Sequence, residues 1–113
     1  MTQISSHVLD TTLGRPAAGL EVRLAVLDDS AEWRNLGAAI TDEKGRVRDL
    51  LAGATLEPRR YRLSFETEAY FVRHAQPVFY PRIEVVFIVT EPREHYHVPV
   101  LLNPFGYSTY RGS

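Results

Sequence analysis

Hydrophobic and polar residues alternate with period two along much of the chain. In Leu20-Glu21-Val22-Arg23-Leu24-Ala25-Val26 every second residue is aliphatic, the pattern of a strand with one buried face. Arg60-Tyr61-Arg62-Leu63-Ser64-Phe65-Glu66 repeats it. Ile83 to Thr90 keeps one fully apolar face and a mixed second face, which predicts a central strand. Tyr96, Val98, Val100 and Leu102 share one face of a further strand, and His7-Val8-Leu9 reads as a short early one. Turn residues punctuate these runs: Gly14-Arg15-Pro16 with Gly19, Asp42-Glu43-Lys44-Gly45 as a hairpin, Glu91-Pro92-Arg93, and Asn103-Pro104-Phe105-Gly106. The one helical segment runs from Thr67 to His74, with Thr67 as its N-cap. Many short strands and a single helix predict an all-β, two-sheet antiparallel β-sandwich.

The alternation also assigns faces. If Tyr96, Val98, Val100 and Leu102 point into the core, His95, His97, Pro99 and Leu101 point out of the sandwich. If Val8 points inward, His7 and Leu9 point outward. A solvated outer face is normally polar throughout, yet here imidazoles stand among aliphatic residues. A second subunit is the most economical cover for such a face. The pattern therefore predicts an oligomer with a polar, histidine-lined cavity at its interface.

Composition narrows the field. A chain of 113 residues with a 24% charged and 44% hydrophobic content fits one domain over residues 1–113 with its own core. The formal net charge of −1 leaves no basic excess for phosphates, so nucleic acid is not an expected partner. No cysteine is present, which removes disulfides, thiolate metal sites and a cysteine nucleophile. No basic N-terminal region leads into an apolar stretch, and no apolar run approaches the ~20 residues of a membrane span. The expected location is the cytoplasm, with no membrane partner.

Taken singly, the chemical candidates have plain alternatives. A lone His7 on a strand is more often an incidental surface residue than a working one. His95 and His97 share one strand face at a spacing that suits a metal, but two ligands do not complete a site. Lys44-Gly45-Arg46 reads by itself as a turn with a solvated arginine, and Ser113 as a frayed end. Asp28-Asp29 and Arg59-Arg60 read as solvated charges. The Gly-x-Ser-x-Gly elbow, a phosphate-cradling glycine loop and His-Glu-x-x-His are absent from the sequence.

Taken together, separated stretches resemble one family. They are His7-Val8-Leu9-Asp10 with Gly14-x-Pro16-Ala17-x-Gly19, then Thr41-Asp42-x-x-Gly45-Arg46, then Phe79-Tyr80-Pro81 ahead of Glu84-Val85-Val86-Phe87. The last is His95-Tyr96-His97-Val98-Pro99 running into Gly106-Tyr107-Ser108-Thr109-Tyr110-Arg111-Gly112-Ser113. The set resembles the transthyretin-like 5-hydroxyisourate hydrolases of urate degradation over nearly the whole chain, and the closing Tyr-Arg-Gly-Ser is its most specific part. The resemblance implies a sandwich of about eight strands with one short helix, assembled as a homotetramer (a dimer of dimers) with active sites where outer sheet faces meet. It implies His7, Arg46, His97 and Ser113 as catalytic residues, with Tyr110, Arg111 and Gly112 joining His7 and Arg46 in substrate binding. One position departs from the family: Lys44 stands where an Asp is usual, which predicts altered charge at the mouth of the site.

The implied reaction opens the six-membered ring of 5-hydroxyisourate at a cyclic amide carbonyl. Water must lose a proton, an oxyanion must be stabilised, and the leaving nitrogen must gain a proton. A neutral His7 or His97 suits the first task, typically for ~10²–10⁴ in rate. Arg46 holds substrate oxygens with a planar fork, and a donor aimed at the oxyanion is typically worth ~3–4 kcal/mol. Ser113 offers a hydroxyl and, as a terminus, a carboxylate to orient a histidine or the water. Neither the chemistry nor the resemblance calls for a metal or another cofactor. The alternatives are a transthyretin-type carrier of a small aromatic ligand and a metal-binding sandwich using His95, His97 and His7.

Overall fold

The computed structural model describes residues 3–113. Along the chain run β1 (Ile4–Asp10), β2 (Arg15–Pro16), β3 (Glu21–Leu27), β4 (Trp33–Ile40), β5 (Arg46–Val47), β6 (Arg60–Phe65), α1 (Thr67–Arg73), β7 (Ile83–Ile88), β8 (Tyr96–Asn103) and β9 (Gly106–Thr109). One sheet has the order β2-β1-β8-β9, with β5 also pairing β1; the other has the order β4-β3-β6-β7. The architecture is the expected all-β sandwich with one short helix. One pair departs from the antiparallel rule: β1 runs parallel to β8 from Ile4 opposite Tyr96 to Asp10 opposite Leu102.

The inward faces are the ones that alternation selects. Ile4 and Val8 from β1, Val22, Leu24 and Val26 from β3, Tyr61, Leu63 and Phe65 from β6, and Tyr96, Val98, Val100 and Leu102 from β8 are all buried in one cluster. Burial of this apolar surface is the main force holding the two sheets together. β7 is not the central strand its apolar content predicts. It closes the edge of its sheet and leaves Val86 and Ile88 each 53% exposed. Among the described residues nothing covers its second apolar face. Among the described residues no helix is long and apolar enough to cross a membrane.

The segment Asp42-Glu43-Lys44-Gly45 turns the chain but is not a hairpin. β4 belongs to one sheet and β5 to the other, so the turn carries the chain across the sandwich. The Asp42 carboxylate accepts the backbone N–H groups of Lys44 and Arg46 at 2.9 and 3.0 Å, an Asx-type arrangement. Gly45 has a positive φ of 78° and its carbonyl accepts the Val8 N–H at 2.8 Å. A Cβ there would lie 2.4 Å from the Val8 carbonyl oxygen, so both conformation and space require glycine. The turn is thereby pinned to β1, with His7 opposite Arg46 in the register.

The helix begins at Thr67, but Thr67 is its first helical residue rather than its cap. Glu66 occupies the cap position without a side-chain capping bond. The buried Thr67 hydroxyl donates instead to the Tyr80 carbonyl at 2.6 Å, tying α1 to the loop that follows it. On the other side, the Tyr70 hydroxyl donates to the buried Asp10 carboxylate at 2.7 Å. The other oxygen of Asp10 accepts the Thr12 and Leu13 N–H groups at 2.9 and 3.0 Å. Burial, with the adjoining carboxylate, pushes the Tyr70 phenol well above its ordinary value. Asp10 thus fixes both the end of β1 and the helix.

Candidate active site

The outer face of β1 carries Ser5, His7 and Leu9, and that of β8 carries His97, Pro99 and Leu101, in direct register as neighbours. β5 sets Arg46 beside His7 on the same face. After β9 the chain turns back, and Gly112 bridges to His97, its N–H donating to the His97 carbonyl at 2.8 Å. These elements enclose a cavity of about 330 Å³ lined by Ser5, Ser6, Arg46, Val47, Arg48, His95, His97 and Ser113. No Asp or Glu lines it, so its walls combine two guanidinium groups with imidazoles and hydroxyls. Such a cavity favours a small, oxygen-rich or anionic ring.

The histidines are held through defined atoms. Nδ1 of His97 lies 2.8 Å from the Ser5 hydroxyl, and Nε2 of His95 lies 3.0 Å from the same oxygen. His97 Nε2 has no hydrogen-bond partner among the described residues and is open to the cavity that the ring lines. His97 is only partly exposed. Desolvation first, and then the neighbouring His95, His7 and Arg46, lower its pKa below the ordinary imidazole value. The neutral ring, with a usable lone pair, is therefore the favoured form near neutral pH.

His7 stands at the rim. Its Nε2 donates to the Lys44 carbonyl at 2.8 Å, and its Nδ1 has no hydrogen-bond partner among the described residues. This contact answers the Lys44 departure. The backbone of residue 44 holds His7, so a change of side chain there leaves the contact in place while altering the exposed charge.

The predicted residues therefore divide. Arg46, His97 and Ser113 line one cavity, His7 adjoins it through Arg46, and Gly112 packs on the His97 ring. Tyr110 and Arg111 face elsewhere. They line a neighbouring apolar groove of about 250 Å³ with Val85, Phe87, Ile88, Tyr96, Val98 and Thr109. There the Arg111 guanidinium stacks 4.5 Å over the Tyr96 ring and reaches Glu94 at 3.3 Å. Four cavity residues escaped the sequence reading: Ser5, Ser6, Val47 and Arg48. Arg48 follows Arg46 by two positions and so shares its face, a signal visible in the sequence. Ser5 carries no such mark, because only the register that places it opposite His97 gives it meaning. His95 and His97 stand 6.1 Å apart, ring to ring, and among the described residues no third His, Asp or Glu joins them in a metal-sized group.

The sandwich that carries this polar, histidine- and arginine-lined cavity has the transthyretin fold. The chain is a member of the HIUase/Transthyretin family, whose model matches residues 4–112. It is 43% identical over 111 residues to the 5-hydroxyisourate hydrolase of Mus musculus, covering 97% of this chain and 94% of that protein. The solved 5-hydroxyisourate hydrolase of Klebsiella pneumoniae superposes with a TM-score of 0.86 at 36% identity over 100% of both chains. Sea bream transthyretin in complex with thyroxine superposes with a TM-score of 0.90 at 27% identity, over 97% of this chain and 94% of that one.

Proposed function

We propose that this chain is a 5-hydroxyisourate hydrolase of urate degradation. It opens the substrate's six-membered ring at a cyclic amide carbonyl to give 2-oxo-4-hydroxy-4-carboxy-5-ureidoimidazoline. The observation that carries this reading is the meeting in one cavity of His97 Nε2 and two guanidiniums, all without partners among the described residues, with Ser113. The hydrolases to which the chain is similar over nearly its full length support the same substrate.

In the proposed reaction His97 is the base. Its Nε2 takes a proton from water, which attacks the carbonyl carbon, for ~10²–10⁴ in rate. Arg46 holds the substrate oxygens and faces the developing oxyanion, an interaction typically worth ~3–4 kcal/mol. His7 orients the ring from the rim, and the Ser113 hydroxyl positions the water. Gly112 sets the spacing of the tail from His97. The working form proposed is a single-domain homotetramer, a dimer of dimers, supported by the exposed apolar residues Phe79, Phe105, Val86 and Ile88. In it, Tyr110 and Arg111 reach the substrate channel from the apolar groove. The location proposed with it is the cytoplasm, to be tested by cell fractionation.

The test is turnover. 5-Hydroxyisourate generated freshly from urate by urate oxidase is mixed with the protein; its loss is followed by absorbance and product handedness by circular dichroism. Decay well above the spontaneous rate with one enantiomer accumulating is expected. Saturable ligand binding with decay at the spontaneous rate would instead return a carrier.

A further inference from the structure

The Ser5 hydroxyl stands between two imidazoles, 2.8 Å from His97 Nδ1 and 3.0 Å from His95 Nε2. A hydroxyl has one proton to donate and lone pairs with which to accept. Ser5 therefore donates to one ring while it accepts an N–H from the other. This ties the tautomers together. When Ser5 donates to His95 Nε2, His97 carries its proton on Nδ1 and offers the Nε2 lone pair to the cavity. When Ser5 donates to His97 Nδ1, His97 carries its proton on Nε2 and offers a donor instead. The base form thus becomes the acid form when Nε2 takes a proton from the cavity while two protons shift along the Ser5 bridge, which leaves the added charge on His95.

The surroundings give the exchange a direction. Ser5 is only 7% exposed, whereas His95 stands at the surface. The groups facing His97 are Ser5 and His7 from β1, Arg46 from β5, Arg48 beyond it, His95 just ahead of β8, and Gly112 with Ser113 from the tail. An imidazolium at His97 would share its cavity with two guanidiniums. His95 lines the same cavity but is exposed, so the same charge there lies on its solvent side, where it is screened.

We propose that Ser5 and His95 are positioning residues that form a proton relay for His97. The proposal rests on the hydrolase reading above. In the forward step an O–H bond of water breaks and its proton joins His97 Nε2. The Nδ1 proton passes to Ser5 Oγ as the Ser5 hydroxyl proton joins His95 Nε2, and the hydroxide adds to the carbonyl carbon. His97 is then neutral with its proton on Nε2, and His95 is the imidazolium. In the return step the Nε2 proton goes to the leaving nitrogen as the C–N bond breaks. Ser5 returns a proton to His97 Nδ1, and His95 returns one to Ser5. Every group ends as it began. One histidine serves in turn as base and acid, while the charge rests on the exposed His95 rather than on the half-buried His97.

The experiment compares wild type with Ser5→Ala, Ser5→Thr, His95→Asn and the Ser5→Ala/His95→Asn double variant. It measures kcat, KM and thermal melting, and follows the ¹⁵N imidazole signals of His95 and His97. Either single loss is expected to lower kcat by roughly 10- to 100-fold, a share of the ~10²–10⁴ of a positioned base, with KM within about twofold. Ser5→Thr restores turnover. The double variant is no slower than the worse single one, because both break the same path. Added imidazole raises the turnover of His95→Asn. The His97 tautomer signals change in Ser5→Ala. Wild-type kcat in Ser5→Ala, multiplying losses in the double variant, or no rescue by threonine would overturn the relay. Wild-type protein that shows the linked tautomers but no turnover would overturn the hydrolase reading, and with it the use of the relay, while leaving the hydrogen-bonded triad standing.

Discussion

The N–H of Gly112 donates to the His97 carbonyl at 2.8 Å, and a Cβ on Gly112 would lie 2.7 Å from His97 Cδ2 and 3.2 Å from Pro99 Cγ. The tail and the imidazole are packed without room for one more carbon. Gly112→Ala is therefore expected to displace the His97 ring or lift the tail from β8. A shift of ~1 Å at a reacting group can cost ~10²-fold in rate. We expect kcat/KM to fall by about that factor with the melting temperature nearly unchanged. Steady-state kinetics beside calorimetry checks it, and an alanine variant with full activity would show that the tail does not set the ring.

How much of this was legible in the sequence depends on where the information lies. β3, β6 and β8 were readable because one face of each is fully buried, so period two survives intact. β4 was missed: Trp33–Ile40 is an edge strand with no fully buried residue, and its pairing slips by a bulge between Leu24 and Ala25. β9 is four residues on an edge, too short for a pattern. β7 was misplaced because apolar residues on both faces mark burial without saying whose surface supplies it. In the site, alternation alone sent His7 and His97 to the outer face. It could not bring Ser5 to His97, since that contact spans 92 residues through a parallel pairing, a tertiary fact with no local signature.

Arg46 and Arg48 line the same cavity, and neither has a carboxylate within ion-pairing distance among the described residues. The nearby Asp42 carboxylate is occupied by backbone N–H groups. Both cations are thus free for substrate. A hydrogen bond to a charged group is typically worth ~1.5–3 kcal/mol. Arg48→Gln is expected to raise KM by about tenfold or more while kcat changes little, and Arg46→Gln to lower kcat as well. Separate kcat and KM values decide it; an Arg48→Gln enzyme with wild-type KM would remove Arg48 from the binding surface.

Asp10 is a structural carboxylate. It accepts from Tyr70, from two turn N–H groups and, at 3.4 Å, from Gln76. Asp10→Ala leaves the buried Tyr70 hydroxyl and the turn unpaired, and several such losses together should cost about 3–5 kcal/mol. Tyr70→Phe removes one partner only and should cost about 1–2 kcal/mol. Urea unfolding measures both. Equal small losses would mean that water replaces the carboxylate at little cost.

His97 links activity and stability to pH with a definite sign. Its folded pKa lies below the ordinary ~6.5, so the neutral ring is favoured in the folded chain. Stability from this group is fully present above the unfolded value. It is lost as pH falls through ~6.5 toward the lower folded value, because there the unfolded chain binds the proton more readily. For the same reason the acid limb of kcat/KM should lie below ~6.5, keeping the base competent in mildly acidic medium. Two measurements test this: the kcat/KM profile from pH 5 to 8, and urea midpoints at both ends for wild type and His97→Asn. The variant should lose most turnover, keep its fold at pH 8 and lose less stability on acidification than wild type does. An equal acid-induced loss in both proteins would mean that another group titrates there. An acid limb above ~6.5 would mean that His97 is not the base.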